Sequence, residues 1–251
     1  MLVRRGLRPR AVALGTPFPP GFAEGPAEAF ARHLDHYAFR LFLRGAIQHG
    51  DGFSAESVTD YVEAARAVGM ARALVDLGLA EVTRPGRFRL RCPVASFGPT
   101  LEWYVGRELG RRLGFDVVTG VKLRVAGLGG DLDVVAAAEG RLVYLELKSS
   151  PPKHLSDAEV AAFFARVRCL RPHLTLFVMD TALRLSDKVV PMLVAEAGRS
   201  ASGAPGTPRC MGHGLWAVTP HLYAVGAKPS LMGNVGAAIA DGFRALAPPV
   251  P

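Results

Sequence analysis

Cysteine is scarce: Cys92, Cys169 and Cys210 are the three in 251 residues, and none forms a CxxC. An odd, scattered set argues against a disulfide framework and against a cysteine zinc site, and fits a reducing cytoplasm. Long apolar runs are also missing. No stretch reaches the ~18 residues that a spanning helix needs, so no membrane partner is expected. Acidic residues are absent before Glu24, although Arg4, Arg5, Arg8 and Arg10 stand there. The apolar stretch Ala11 to Gly15 is too short for an export signal. Residues 1–26, with Pro17, Pro19 and Pro20, therefore read as a flexible basic arm. There is no Walker A sequence. Gly127-Leu128-Gly129-Gly130 lacks the GxGxxG spacing and opens a strand, which excludes a dinucleotide loop.

What is present describes a globular chain. Hydrophobic residues make up 49% and charged residues 21%, enough to bury a core and to exclude wholesale disorder. The formal charge is +8 and the pI is near 9.9, which favours polyanionic partners. Arginine supplies 25 of the 30 cations. There are 13 basic against 9 acidic residues before position 93, and 17 against 13 from there on. Basicity is thus spread along the chain.

The pattern divides in two. From Ala27, Phe30, Leu34, Tyr37 and Leu41 share one helical face, a second helix starts near Ser57, and a third runs from Ala64 to Leu77 before Gly78. Pro85-Gly86 then supplies a type II turn. In the returning strand Phe88, Leu90 and Cys92 alternate with Arg87, Arg89 and Arg91. Three helices and a hairpin give residues 27–92 the order of a winged-helix-like module. On its third helix Arg66 and Arg72 are flanked by Glu63 and Asp76, so the Arg87, Arg89 and Arg91 stripe is the better-placed phosphate contact. Protein contact or dimerisation is an equal role for this module. His33 and His36, three apart on a helix, form a metal pair without a third ligand.

After a break at Pro93 to Pro99, residues 93–251 read as an α/β domain. Thr100 caps a helix with Leu101, Val105, Leu109 and Leu113 on one face. Strands follow over 117–126, 131–136 and 142–147, the last two joined through Glu139-Gly140. Ser156 and Glu159 make a capping box for a helix ending before Pro172, and Leu174 to Met179 is an apolar strand. Gly198 to Gly214 reads as a mobile loop, followed by short strands at 215–218 and 222–225 and a helix over 234–246.

The chemistry lies on two of those strands. Glu146 and Lys148 are two apart and so share a strand face, and a hairpin through Gly140 brings Asp133 beside them. Two carboxylates on adjacent strands offer hard oxygen ligands suited to Mg²⁺ or Mn²⁺. An ammonium beside them can position water or offset charge on a phosphate. Asp131 shares the face of Asp133 and is the alternative ligand. The plainer reading makes Glu146 and Lys148 a solvated edge-strand ion pair. Glu102 in a first helical turn also has a plain reading, as a dipole partner. Lys153 and His154, and Arg166 and Arg168, could reach a phosphate or simply face solvent; Asp180 could simply cap a turn.

The elements Glu102, Asp133 and Glu146-Leu147-Lys148, in the order helix, strand, strand, helix, strand, resemble the PD-(D/E)XK, or restriction-endonuclease-like, nuclease superfamily over roughly residues 100–180. The literal Pro-Asp is replaced by Gly130-Asp131-Leu132-Asp133-Val134. The resemblance implies a mixed sheet flanked by helices, with Asp133, Glu146 and the Leu147 backbone carbonyl as metal ligands. It implies Glu102 as an additional ligand and Lys148 as base or water positioner. The expectation is an Mg²⁺- or Mn²⁺-dependent nuclease acting on DNA ahead of RNA, compatible with a homodimer. Arg87, Arg89, Arg91 and Lys153 are the expected nucleic-acid contacts. The alternative is a catalytically inactive nucleic-acid-binding or regulatory protein of the same fold.

Overall fold

A computed structural model describes residues 1–11, 15–19, 21–50, 52–123, 125, 129–200 and 206–246. The chain forms two compact units: residues 14–104, and residues 1–13 together with 105–251.

The smaller unit contains α1 (Glu24–Leu34), α2 (Tyr37–Gln48), α3 (Ala64–Asp76) and a three-stranded sheet of β2 (Phe53–Ser54), β3 (Ala80–Arg84) and β4 (Arg87–Leu90) in the order β2-β4-β3. The first expected helix is thus two, broken at Asp35-His36. Buried Arg40 explains the break: its Nη1 donates to the carbonyls of Leu34 (2.5 Å) and Asp35 (3.2 Å), satisfying the end of α1 from the next helix. The expected helix near Ser57 is a 3₁₀ turn over Ala55–Ser57. Phe30, Phe39, Phe42, Phe53 and Phe88 form a chain of ring contacts, each pair 5.9–6.4 Å apart, from α1 to β4. The hairpin alternates as expected, with Phe88 and Leu90 buried and Arg87 and Arg89 exposed. Gly86 has φ +74°, as a type II turn demands.

The larger unit is built on one mixed sheet. Its strands are β1 (Pro9–Ala11), β5 (Asp116–Leu123), β6 (Leu132–Ala138), β7 (Arg141–Lys148), β8 (Leu174–Met179), β9 (Arg209–Gly212), β10 (Leu215–Thr219) and β11 (Leu222–Gly226), in the order β1-β5-β6-β7-β8-β11-β10-β9. The β7–β8 and β8–β11 pairs are parallel, and the rest are antiparallel. Helix α4 (Gly98–Leu113) precedes β5, α5 (Asp157–Leu170) and α6 (Val189–Ser200) flank β8 in sequence, and α7 (Leu231–Ala245) follows β11. The mixed α+β architecture with flanking helices is the one expected.

Period-two alternation distributes the core over both faces. Tyr144, Phe177 and Met179 pack with Phe163 and Phe164 of α5 and Val189 and Leu193 of α6. Leu174, of opposite parity on β8, meets α7 at Gly242. The β6–β7 turn has two residues, Glu139 (φ 51°) and Gly140 (φ 73°), both left-handed, which matches the twist of a tight hairpin.

Three expectations are corrected. Residues 1–11 are not a flexible arm. Leu2 is buried, β1 pairs with β5 (Pro9 opposite Leu123), and Arg5 donates to the Leu170 carbonyl at 3.0 Å. Three residues are too few to show alternation, and their partner lies over a hundred positions away. Helix α6 was not anticipated; Pro191 stands in its first turn, where the missing N–H costs no hydrogen bond. The segment 198–214 begins with the end of α6 and carries β9; its residues 201–205 lie outside the described residues, as do 124 and 126 of the expected 117–126 strand and 127–128 of the glycine stretch.

Two glycines of α7 test this packing. A Cβ on Gly242 would stand 2.5 Å from Cδ1 of fully buried Leu174, whereas one on Gly236 meets nothing within 4 Å. Gly242→Ala is expected to lower stability by about 1–3 kcal/mol through overpacking. Gly236→Ala is expected to raise it by about 0.5–1 kcal/mol through chain entropy. Thermal unfolding of the two variants, shifting in opposite directions, is the check.

Candidate active site

The site begins where the β6–β7 ladder ends. Val134 pairs with Leu145, and one step further the register sets Asp133 opposite Glu146. At that step a side chain replaces the backbone acceptor: the Leu147 N–H donates to Asp133 Oδ2 at 2.6 Å. Asp131 is exposed and precedes β6, so the carboxylate that the strand brings to Glu146 is Asp133.

Glu146 is 2% exposed, in a strand with neighbours on both sides, so it is no solvated edge residue. A buried carboxylate must be compensated, and three groups do so. Arg166 Nη2 donates to Oε1 at 2.7 Å, Lys148 Nζ lies 3.0 Å from the same oxygen, and the Tyr144 hydroxyl donates to Oε2. Arg166 Nε in turn donates to the Tyr144 oxygen at 3.1 Å, and its Nη1 to the Gly129 carbonyl at 3.3 Å. Burial, then the charge of Glu146, holds the Tyr144 phenol well above its ordinary pKa, so it remains a donor.

Lys148 is tied to a second carboxylate, Glu159 Oε1, at 3.5 Å. Burial alone would lower its pKa, but Glu146 above all, then Asp133 and Glu159, raise it beyond the ordinary lysine value. Glu159 is fixed by the capping box of α5, as its Oε2 accepts from the Ser156 N–H and hydroxyl, both at 3.0 Å. Burial pushes the Glu159 carboxyl up, but the Ser156 bonds and Lys148 outweigh it and leave its pKa lowered.

Sequence reasoning paired Asp133, Glu146 and Lys148 and missed Tyr144, Glu159 and Arg166 as their partners. The signal was available. Tyr144 lies two residues before Glu146 on the same strand face, and Glu159 and Arg166 are seven apart, two turns of one helical stripe. Arg166 is no solvated residue; it is 7% exposed. Glu102, on α4, belongs to the smaller unit, as do Arg87, Arg89 and Arg91. Arg89 is spoken for, its Nε donating to Glu81 at 3.0 Å. Lys153 is exposed in a 3₁₀ turn (Pro152–His154) after β7, and its carbonyl accepts from Lys188 Nζ at 2.9 Å.

Among the described residues no three His, Cys, Asp or Glu side chains gather as a metal-binding group. Mg²⁺ asks for less, because one or two carboxylates and retained waters suffice. Asp133 and Glu146, at facing positions of adjacent strands, meet that requirement in ligand type. The charges agree: Asp133, Glu146 and Glu159 against Lys148 and Arg166 leave one negative charge in excess. The donor set therefore fits a hard divalent cation.

No protein-family model and no curated protein matches the chain. Two solved structures resemble it. Protein VC1899 from Vibrio cholerae is 15% identical over 74% of this chain and 52% of its own, with a TM-score of 0.48. Can2 from Sulfobacillus thermosulfidooxidans, solved in complex with cyclic tetra-adenylate, is 16% identical over 60% of this chain and 44% of its own, with a TM-score of 0.38. The chain spans about half the length of each.

Two predictions follow the charges. Arg166→Leu removes one of the two cations on Glu146, leaving Lys148 and the Tyr144 hydroxyl, and is expected to cost about 1–3 kcal/mol. Adding Glu146→Gln is expected to recover part of that loss; a double-mutant cycle by urea unfolding reads the coupling. For Glu159, a folded pKa below the ordinary 4.5 means stability present above that value and lost as pH falls through the lower, folded one. The deficit of Glu159→Gln against the parent is therefore expected at neutral pH and is expected to shrink by about pH 3, measured by unfolding at both values.

Proposed function

We propose that the chain is a Mg²⁺- or Mn²⁺-dependent phosphodiester hydrolase of the PD-(D/E)XK type, acting on nucleic acid, DNA ahead of RNA. One observation carries the reading: a buried glutamate, an aspartate on the adjacent strand and a lysine two residues on converge at one end of the sheet. The net charge of +8 supports a polyanionic substrate.

In this reading Asp133, Glu146 and the Leu147 carbonyl hold the cation. When bound, it polarises a phosphoryl oxygen and acidifies water. The chain's own residues prepare the site for that. Arg166 and Tyr144 fix both oxygens of Glu146, and the Leu147 N–H orients Asp133. Lys148 acts as a cation. An ammonium with a raised pKa makes a poor acceptor of a proton from water, and a good partner for charge developing on phosphate oxygens. Glu159 keeps that ammonium at the rim of the site, 20% exposed.

The same cage supports a second reading, a nucleic-acid-binding or regulatory protein without cleavage, because Glu146 already has cations on Oε1 and a phenol on Oε2. Cleavage assays on duplex, single-stranded and branched DNA separate the two. Lys148→Ala is expected to lower divalent-dependent cleavage by about 10²–10³-fold, the usual cost of losing one transition-state donor, with DNA binding kept. Calorimetry is expected to show Mn²⁺ binding lost in Asp133→Asn and in Glu146→Gln. Undiminished cleavage by Lys148→Ala sinks the nuclease reading; no cleavage and no Mn²⁺ response with DNA present would favour the second.

A further inference from the structure

Three strands of the larger unit, β7, β8 and β11, run parallel and end together: the register sets Lys148, Met179 and Gly226 in one row. That row lies at the end of the sheet where Asp133 faces Glu146. In open α/β sheets, ligands meet the carboxyl ends of parallel strands. The segments that leave the row, residues 149–156, 180–188 and 227–230, are joined to one another. The Asp180 N–H donates to the Lys148 carbonyl at 2.8 Å, the Ala227 N–H to the Thr181 carbonyl at 2.8 Å, and Lys188 Nζ to the Lys153 carbonyl at 2.9 Å. Together they make one ledge beside the candidate site.

Lysine is rare in this chain, five against 25 arginines, yet four of the five, Lys148, Lys153, Lys188 and Lys228, stand in that row or on the ledge. Arg184 adds a further cation. Lys153, Arg184 and Lys228 are exposed, and their side chains have no hydrogen-bond or ion-pair partner among the described residues. The ledge has two acids, and neither pairs with them. Asp180 is fully buried, and Asp187 accepts from the Ser186 hydroxyl at 2.8 Å.

We infer that Lys153, Arg184 and Lys228 hold the phosphate backbone of a nucleic acid that crosses the ledge from β7 to β11, without regard to base sequence. The inference rests on the nuclease reading of the adjoining site and adds which residues hold the substrate and what they read. The ledge spans three strands, about 10 Å, over which one strand of a duplex presents about three phosphates. Flexible lysine ammonium groups meet phosphates as point charges and demand little geometry. Bases, by contrast, are read by a helix or ribbon that enters a groove, with Asn and Gln among the readers. The ledge is made of short loops and contains neither residue.

Binding by the full chain is followed by fluorescence anisotropy in EDTA over a range of salt. The probes are two labelled DNA oligonucleotides of unrelated sequence, each as single strand and as duplex. Replacing Lys153, Arg184 and Lys228 together by alanine is expected to weaken binding about tenfold or more. The slope of log affinity against log salt is expected to fall by about 2–3, equally for both sequences. Lys122→Ala removes the fifth lysine, exposed on β5, and is expected to leave the slope unchanged. All four side chains are exposed, and circular dichroism checks that the variants keep the fold. No binding by the parent, an unchanged slope in the triple variant, or a marked preference for one sequence overturns the inference. Cleavage is scored separately with Mg²⁺. Ledge-dependent binding without cleavage fails the nuclease reading and leaves the ledge standing; cleavage with an unchanged slope fails the ledge alone.

Discussion

A carboxylate in the middle of a sheet is the constraint around which the larger unit is arranged. Unpaired, Glu146 would cost several kcal/mol, more than most single packing contacts return. The compensation comes from three directions. Tyr144 and Lys148 come from the same strand, at positions where a period of two leaves no choice of face. Arg166 comes from α5, and it can reach Glu146 only if that helix is set in rotation as well as in position. The capping box sets both: Ser156 and Glu159 fix where the helix begins, and Arg166 follows Glu159 by two turns. One local motif at a helix end thus places both a capping glutamate near Lys148 and a guanidinium on Glu146.

That arrangement has a chemical consequence. On the nuclease reading, groups that hold a carboxylate still without neutralising the whole cluster leave it ready for a cation, and the formal charges of the cluster here sum to one negative. Pre-orientation of this kind lowers the reorganisation that chemistry would otherwise require. The opposing effect is visible in the same contacts. Each donor on Glu146 competes for the oxygens that an incoming cation needs, and Lys148, at 3.0 Å and closest to solvent, is the one best able to yield.

The legible part of the fold was the part encoded over short distances. The hairpin from β6 to β7, the capping box, the type II turn and the alternation of β4 all follow from neighbouring residues. Asp133 beside Glu146 was legible for the same reason, through a two-residue turn. What escaped notice depended on distant partners. Strand β1 exists because β5 offers an edge, and the α1–α2 break owes its stability to Arg40. Arg166 looked like a solvated arginine because its partner lies 20 positions back on another element. Helix α6 was hidden by Pro191, which ends a helix in its interior but not in its first turn.

Net charge is a poor guide to which cations of this chain are left free of partners. The arginine stripe of β4 is the obvious basic feature, yet Arg89 is bound to Glu81 and its charge is largely answered at home. Arg87 and Arg91 remain, exposed and fully hydrated, and such cations add long-range attraction but little selectivity. Convergence of donors and the absence of acceptors within the protein, more than the number of charges, are what make a surface selective for a phosphate group.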